Sequence, residues 1–424
     1  MKDSKSSSLK KNQYFVLISS LFINLCIGGF YAWSIFAAGF MDKFNWSLNT
    51  VTNVFMVGSI VGPIANIIGG RLLDKKGPRF VVLSGSVLYA GGNIGCGIIV
   101  SSLGLYACYI CIASGMSLVY TTTLNNSIKI FPKKKGLISG IMTSCVGVST
   151  IVMAPLVQKM ISIMDVSATY RMLGILFMVV MVGCSFFIKD MSTNVTTEKT
   201  IDVHIINGNV DRREMSPKEL LKTPLYYILV FLFFIGGFAG LTMTSQVALA
   251  AEEMVCVTAA VAALAVSWFS FANSLGKLIW GVISDKIGRY NCLIVIFLIL
   301  IGGEILLSTV IPAQWVKFVA GVIMVALCYG GFMGVFPAIT AENFGFKNQG
   351  TNYSLVMLGF SLGGLVGPKV SVIMKNLGTT PFSLSYFATA LLAIIGLVVL
   401  IVMQVYNKKA KIIKMRENHK DNIF

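Results

Sequence analysis

The sequence predicts an all-α integral membrane protein of about twelve transmembrane helices, arranged as two pseudo-symmetric six-helix bundles. Three observations lead there. The 424 residues are 56% hydrophobic and 12% charged, with a mean hydropathy of +0.81, more apolar than a water-soluble chain can hide in its core. Apolar runs close to the roughly 20 residues that span a bilayer recur from end to end. The second half of the chain repeats landmarks of the first.

In chain order, the apolar runs occupy 14–40, 48–70, 80–100, 105–128, 136–158 and 169–189, then 225–249, 257–280, 291–311, 316–340, 350–374 and 381–405. The opening "MKDSKSSSLKKNQYFVLISSLF" has a basic head. Its apolar run continues well past the length of a signal peptide and shows no small-residue cleavage site, so it reads as a retained first span. The organisation predicted is an N-terminal tail at 1–13, a first bundle at 14–189, a linker at 190–223, a second bundle at 224–406 and a basic tail at 407–424.

A net charge of +17 would suggest a nucleic-acid partner in a soluble protein, but its distribution argues otherwise. Of the 34 Lys and Arg, 27 fall in the two tails and in the loops on one side of the spans, among them Arg71, Lys75, Lys76, Arg79, Lys133, Lys134, Lys135, Arg212, Arg213, Lys408 and Lys409. Lys43, Lys159, Arg171, Lys317 and Lys375 fall on the other side, and Lys277 and Lys369 fall within spans. Loops rich in Lys and Arg stay cytoplasmic, so both termini are expected inside a cell membrane and no nucleic acid is expected as partner.

The nine cysteines lie in or at the ends of spans, and Cys108 and Cys111, although spaced as C-x-x-C, read as small apolar residues of a buried helix. His204 and His419, the two histidines, fall in the linker and the tail. No nucleophile, base or metal cluster assembles, and no G-x-x-x-x-G-K-(S/T) loop appears. The chain is therefore not expected to be an enzyme, to hold a metal or cofactor, or to be driven by its own ATP hydrolysis.

Shifting the chain by 211 residues lays "GGRLLDKKGPR" (69–79) on "WGVISDKIGRY" (280–290), matching Gly70 to Gly281, Asp74 to Asp285, Lys75 to Lys286 and Gly77 to Gly288. The same shift lays "GGN" at 91–93 on "GGE" at 302–304. Shifts of 208 and 209 lay "IGGF" at 27–30 on 235–238 and Tyr120 on Tyr329. Several ordered matches at nearly one offset indicate a duplication of six spans, the architecture of secondary transporters that rock two bundles about a midplane site.

The two loop strings resemble the major facilitator superfamily signature G-x-x-x-D-(K/R)-x-G-(R/K), and the twelve spans extend that resemblance over the whole chain. Within the superfamily, "GGFYAWSIF" (28–36) and "NSLGKLIWGVISDKIGR" (273–289) resemble the oxalate/formate antiporter family, which is akin to the monocarboxylate transporters. The resemblance implies a cytoplasmic gate built from Asp74, Lys75, Arg79, Asp285, Lys286 and Arg289, whose ion pairs latch the bundles in one state and break in another. Elementary chemistry agrees: opposite charges at a membrane rim pair in one conformation and solvate in the next.

Lys277 lies eight residues before Asp285, so about 12 Å along a helix axis from the cytoplasmic rim of a roughly 30 Å hydrocarbon layer. A charge at that depth costs about 2.5–3.5 kcal/mol and usually faces a cavity. With no carboxylate nearby on its own helix, Lys277 reads as a receptor for an anion, or else as a lysine snorkelling to the rim. Asn66 occupies the equivalent depth in the first half.

The family resemblance implies an arginine where this sequence has Lys277 and a second cation where it has Phe360, so a site with one cation suits a monoanion such as formate, lactate or pyruvate better than oxalate. It also implies cavity-lining roles for Tyr31, Tyr120 and Tyr329, and a proton-carrying Asp one turn before the cation, where this chain has Asn273. Glu304 and Lys369 are the other ionisable residues in spans; the acid reads as a structural hydrogen-bonding group and the lysine as snorkelling to the outer face. The function expected is exchange of small carboxylate anions by a monomer in a lipid bilayer. Proton-coupled monocarboxylate symport is the alternative, and a transporter-derived sensor a more distant one.

Overall fold

Apolar runs of this length form helices in a bilayer because every backbone N–H and C=O must be satisfied within the segment. The computed structural model describes residues 2–189, 214–375 and 377–421. The stretch 190–213, with His204, Arg212, Arg213 and most of the predicted linker, lies outside the described residues. The first half contains α1 (Lys2–Ile27), a 3-10 turn (Gly28–Ala32), α2 (Trp33–Phe44), α3 (Leu48–Lys76), α4 (Pro78–Cys96), α5 (Ser102–Ile130), α6 (Lys135–Met164), α7 (Val166–Ser185) and the short α8 (Pro217–Leu220). The second contains α9 (Pro224–Val255), α10 (Ala259–Ile287), α11 (Arg289–Ser308), α12 (Trp315–Phe344), α13 (Gln349–Met374) and α14 (Ser383–Asp421). Among the described residues, 10 helical stretches are long and apolar enough to cross a membrane. Their flanks carry large exposed apolar side chains such as Val316, Ile373 and Val179, as lipid-facing surfaces require.

The first span, expected as one run over 14–40, is interrupted by the 3-10 turn at Gly28–Ala32. Neighbouring side chains take the backbone carbonyls on its N-terminal side. The Tyr89 hydroxyl of α4 donates to Cys26 O (3.2 Å) and Ile27 O (3.3 Å), and the Ser149 hydroxyl of α6 donates to Leu25 O. A break at membrane depth is tolerated where donors inside the protein replace the lost helical bonds.

The duplicated loops share one backbone solution. Gly77 (φ +78°) separates α3 from α4, and Gly288 (φ +87°) separates α10 from α11. Those φ values belong to the left-handed half of the map, where a Cβ clashes, which is why both repeats spell glycine there. Pro78 then starts α4 at a position where its missing N–H is not needed.

The chain divides into two units, Met1–Leu221 with Pro337–Leu355, and Lys222–Phe336 with Val356–Phe424. In the first, α4 lies along α5 and α7, α3 lies along α5, and α1 lies against α6. In the second, α11 lies along α14, and α9 lies against α10 and α14. The string "GFSLGGLVGP" forms a seam on α9: a Cβ on Gly363 would strike Phe234 O and come within 2.6 Å of Phe238 N, and one on Gly367 would come within 2.7 Å of Phe238 O. Only glycine admits backbones that close.

Four of the five basic residues assigned to the sparsely charged side have partners within their own unit. Lys43 pairs with Asp165 (3.1 Å) and Lys375 with Glu253 (2.5 Å). Arg171 donates to Gly97 O (2.7 Å) and Lys317 to Thr309 O (2.6 Å). Asp165 also caps α7 by accepting from Ala168 N at 2.7 Å, and that bond, with Lys43, holds its carboxyl below the usual carboxylate range. Lys369 is exposed.

Candidate functional site

In the second unit the turn Asn273–Lys277 of α10 lies in backbone contact with α12. A Cβ on Gly330 would strike Asn273 O and come within 2.8 Å of Lys277 N, and one on Gly334 would come within 2.7 Å of Lys277 O. Phe269, Asn273 and Lys277 follow one another at four-residue intervals and so share one stripe of α10. The Phe269 ring lies 6.0 Å from that of Tyr329, the residue just before Gly330, so the top of the stripe and its lysine-bearing turn meet the same segment of α12.

Tyr329 in turn stacks on Phe360 of α13 at 5.9 Å and 10°. Phe360 continues to Phe233 of α9 (5.0 Å), which stacks on Phe336 of α12 at 4.1 Å and 11°. Gly240 of α9 lies flat beneath the Tyr329 ring, where any side chain would collide with it. Four helices thus supply a continuous aromatic wall ending at the stripe that carries Lys277. Asn273 Oδ1 is buried and has no hydrogen-bond partner among the described residues. An amide, a cation one turn away and a flat apolar wall can together orient a small anion with a polar and an apolar end.

Glu304 lies on α11. It is 1% exposed, with Cys328 of α12 and Tyr386 of α14 as its electrostatic neighbours. Its Oε2 and the Tyr386 hydroxyl lack hydrogen-bond partners among the described residues.

In the first unit Asn66 of α3 is buried, and its side-chain carbonyl accepts from the Thr121 hydroxyl of α5 while its backbone carbonyl accepts from Ser354 Oγ at 2.8 Å. The adjacent Tyr120 is buried on α5. The Tyr31 side chain lies outside the described residues. Sequence reasoning missed the polar segment C-terminal to Tyr120, in which Thr121, Thr122, Thr123, Asn125, Asn126 and Ser127 are each no more than 1% exposed. Asn24 of α1 donates to Thr123 Oγ1 (3.0 Å), and Gln349 donates to Asn125 Oδ1 (3.2 Å). The signal was available, since six of the seven residues 121–127 are polar within a predicted span.

The two gate motifs, alike in backbone, differ in partners. Asp74 accepts from Gly350 N (3.3 Å), Thr351 N (3.0 Å) and Thr351 Oγ1 (2.7 Å), with Lys129 Nζ at 4.0 Å. The carboxylate therefore sits on the N-terminus of α13, where free N–H groups and the helix dipole both favour a negative charge. Lys75 is exposed beside a cavity of about 280 Å³ lined also by Arg71, Asp74, Pro217, Asn348 and Thr351. Arg79 lies over the Phe186 ring at 5.2 Å. In the second unit Asp285 pairs with Arg289 of its own loop at 2.6 Å, Arg289 also donates to Ser284 Oγ at 2.6 Å, and Lys286 is exposed. Lys135 pairs with Glu342 at 3.4 Å within the first unit.

Comparison with known proteins places the chain in a family. The family model described as Major Facilitator Superfamily matches residues 16–254 and 232–421. The chain is 25% identical over 394 residues to the oxalate:formate antiporter of Oxalobacter formigenes, covering 92% of this chain and 91% of that one. It is 28% identical over 151 residues, 35% of each chain, to monocarboxylate transporter 13 of Rattus norvegicus. Among solved structures, the major facilitator transporter FucP in its outward conformation superposes with a TM-score of 0.68 at 15% identity, covering 91% of this chain and 97% of that one, a likeness of fold. The family model covers both halves of the chain, and the all-helical architecture is the one its members share: this chain belongs to the Major Facilitator Superfamily of membrane transporters.

Proposed function

We propose that the chain exchanges small monocarboxylates across a cell membrane by alternating access, working as a monomer with both termini in the cytoplasm. The observation that carries the reading is Lys277, a cation within a transmembrane helix, on one stripe with Asn273 and beside the Tyr329–Phe360 wall. Similarity to an oxalate:formate antiporter over most of both chains supports a carboxylate as cargo. Phe360 closes the stack on Tyr329, so the wall is apolar where a second cation would be needed to hold a dianion. In this reading Lys277 binds the carboxylate, and Tyr31, Tyr120, Tyr329, Asn66 and Asn273 line the path.

In this reading the lysine site crosses between states more readily with a carboxylate bound than without, and that difference enforces exchange. Asp74, Lys75, Arg79, Asp285, Lys286 and Arg289 act as the gate. The test is uptake of labelled formate, lactate, pyruvate and oxalate into proteoliposomes, with and without internal counter-anion. Fast monocarboxylate uptake only with counter-anion supports the reading. Uphill uptake driven by a proton gradient alone would replace it with symport.

A further inference from the structure

Away from the proposed site, two thiols meet at the far ends of α4 and α5, opposite the Asp74 loop. There the Gly95–Cys96 end of α4 packs against Cys108 of α5, and Cys96, Cys108 and Cys111 are electrostatic neighbours. Gly95 and Gly92 make the approach possible: a Cβ on Gly95 would sit 2.6 Å from Cys108 Sγ, and one on Gly92 would sit 2.8 Å from Cys108 O. Elsewhere the thiols of Cys145, Cys292 and Cys328 donate to the backbone carbonyls of Leu21, Trp280 and Ile296. The sequence reading took Cys108 and Cys111 as small apolar residues of a buried helix; packing brings Cys96 of α4 to the same place.

We propose that Cys96 and Cys108 form a redox-modifiable pair whose disulfide ties α4 to α5 and slows transport. Cys96 is fully buried and Cys108 partly exposed, so Cys108 meets the oxidant and Cys96 resolves it. With hydrogen peroxide as the oxidant, Cys108 Sγ as thiolate attacks one peroxide oxygen; the S–O bond forms, the O–O bond breaks and hydroxide leaves, giving a sulfenic acid. The Cys96 sulfur then attacks Cys108 Sγ, the S–S bond forms, the S–O bond breaks, and water leaves. Two thiols and one peroxide thus become one disulfide and two waters. On the orientation proposed above this end of the helix pair faces outward, where disulfides persist. The bridge would restrain α5, which carries Tyr120 toward its middle and Lys129 beside Asp74 at its other end.

The experiment treats the purified full-length protein in proteoliposomes with hydrogen peroxide, then maps linked peptides without reduction and measures exchange. A Cys96–Cys108 linked peptide, with exchange falling several-fold and recovering in dithiothreitol, is the expected result. Cys96→Ser should leave Cys108 as a sulfenic acid trapped by dimedone and should abolish the slowing, whereas Cys111→Ser should behave as the parent. Cys108→Ala gives a second route should Cys96→Ser fail to fold. Oxidation of exposed Cys256 without any Cys96–Cys108 peptide would overturn the proposal, as would a Cys108–Cys111 link, a bridge without slowing, or equal slowing in Cys96→Ser and Cys108→Ala. Each reads oxidation against an untreated control, so the outcome does not depend on which anion is carried.

Discussion

The Asp74 carboxylate accepts both the backbone N–H and the hydroxyl of Thr351, at 3.0 and 2.7 Å, across 277 positions of sequence. Its repeat counterpart Asp285 pairs instead with Arg289, four residues away. The two halves of the duplication therefore use the same acid differently, one on a distant helix terminus and one within its own loop.

Both acids are therefore predicted to govern turnover. Asp74→Asn weakens hydrogen bonds that, to a charged acceptor, contribute about 1.5–3 kcal/mol each. Asp285→Asn weakens a charge-assisted pair with Arg289 whose side chains are only 16% and 7% exposed. Exchange should slow at least roughly tenfold in Asp74→Asn, the equivalent of 1.4 kcal/mol, and should slow in Asp285→Asn as well, with substrate affinity nearly unchanged in both. Turnover and half-saturation measured in proteoliposomes check this; a large affinity loss at normal turnover would contradict a gating role.

Lys277→Gln should abolish anion binding in a protein that still inserts, because removing a buried charge lowers the insertion cost. Lys277→Arg should retain transport and tolerate bulkier or doubly charged anions, since guanidinium grips a carboxylate bidentately. Normal affinity in a folded Gln variant, read by substrate-induced thermal stabilisation, would show that the lysine serves no anion.

Phe360 closes the stack on Tyr329, so Phe360→Lys should both open the wall and supply a second cation. The competition profile should move from monocarboxylates toward oxalate. Isothermal titration with formate and oxalate reads the shift directly, and a variant that still rejects oxalate would locate selectivity elsewhere.

Asn273 stands one helical turn before Lys277, with Oδ1 unpaired among the described residues. Exchange by the parent should therefore be insensitive to an imposed pH gradient, while Asn273→Asp installs a titratable acid beside the cation and should make uptake respond to one. Parallel flux assays with and without a gradient decide it.

Asp165 gives an acid-dependent stability term. Its folded carboxyl is held below the ordinary value, first by the Ala168 N–H and then by Lys43, so its contribution is fully present above the unfolded pKa near 4 and fades as pH falls through the depressed folded value. Asp165→Asn should flatten the fall of the melting temperature between roughly pH 5 and pH 3; an unchanged slope would assign that fall to other acids.

The helical class, the positions of most spans and the doubled loop were legible in the sequence because each rests on local periodicity, length or a repeat of residue types. Gly77 and Gly288 belong to the same class, since a left-handed φ demands glycine whatever surrounds it. The break at Gly28–Ala32 was not legible, because it depends on donors that Tyr89 and Ser149 bring from other helices. The tertiary structure alone decided that Asp74 meets Thr351, that Phe360 meets Tyr329, and that Cys96 of α4 lies beside Cys108 of α5. Hydropathy says which stretches become helices, but the choice of neighbour depends on which faces can close to backbone contact, and that is settled by small residues and shape across positions far apart in the chain.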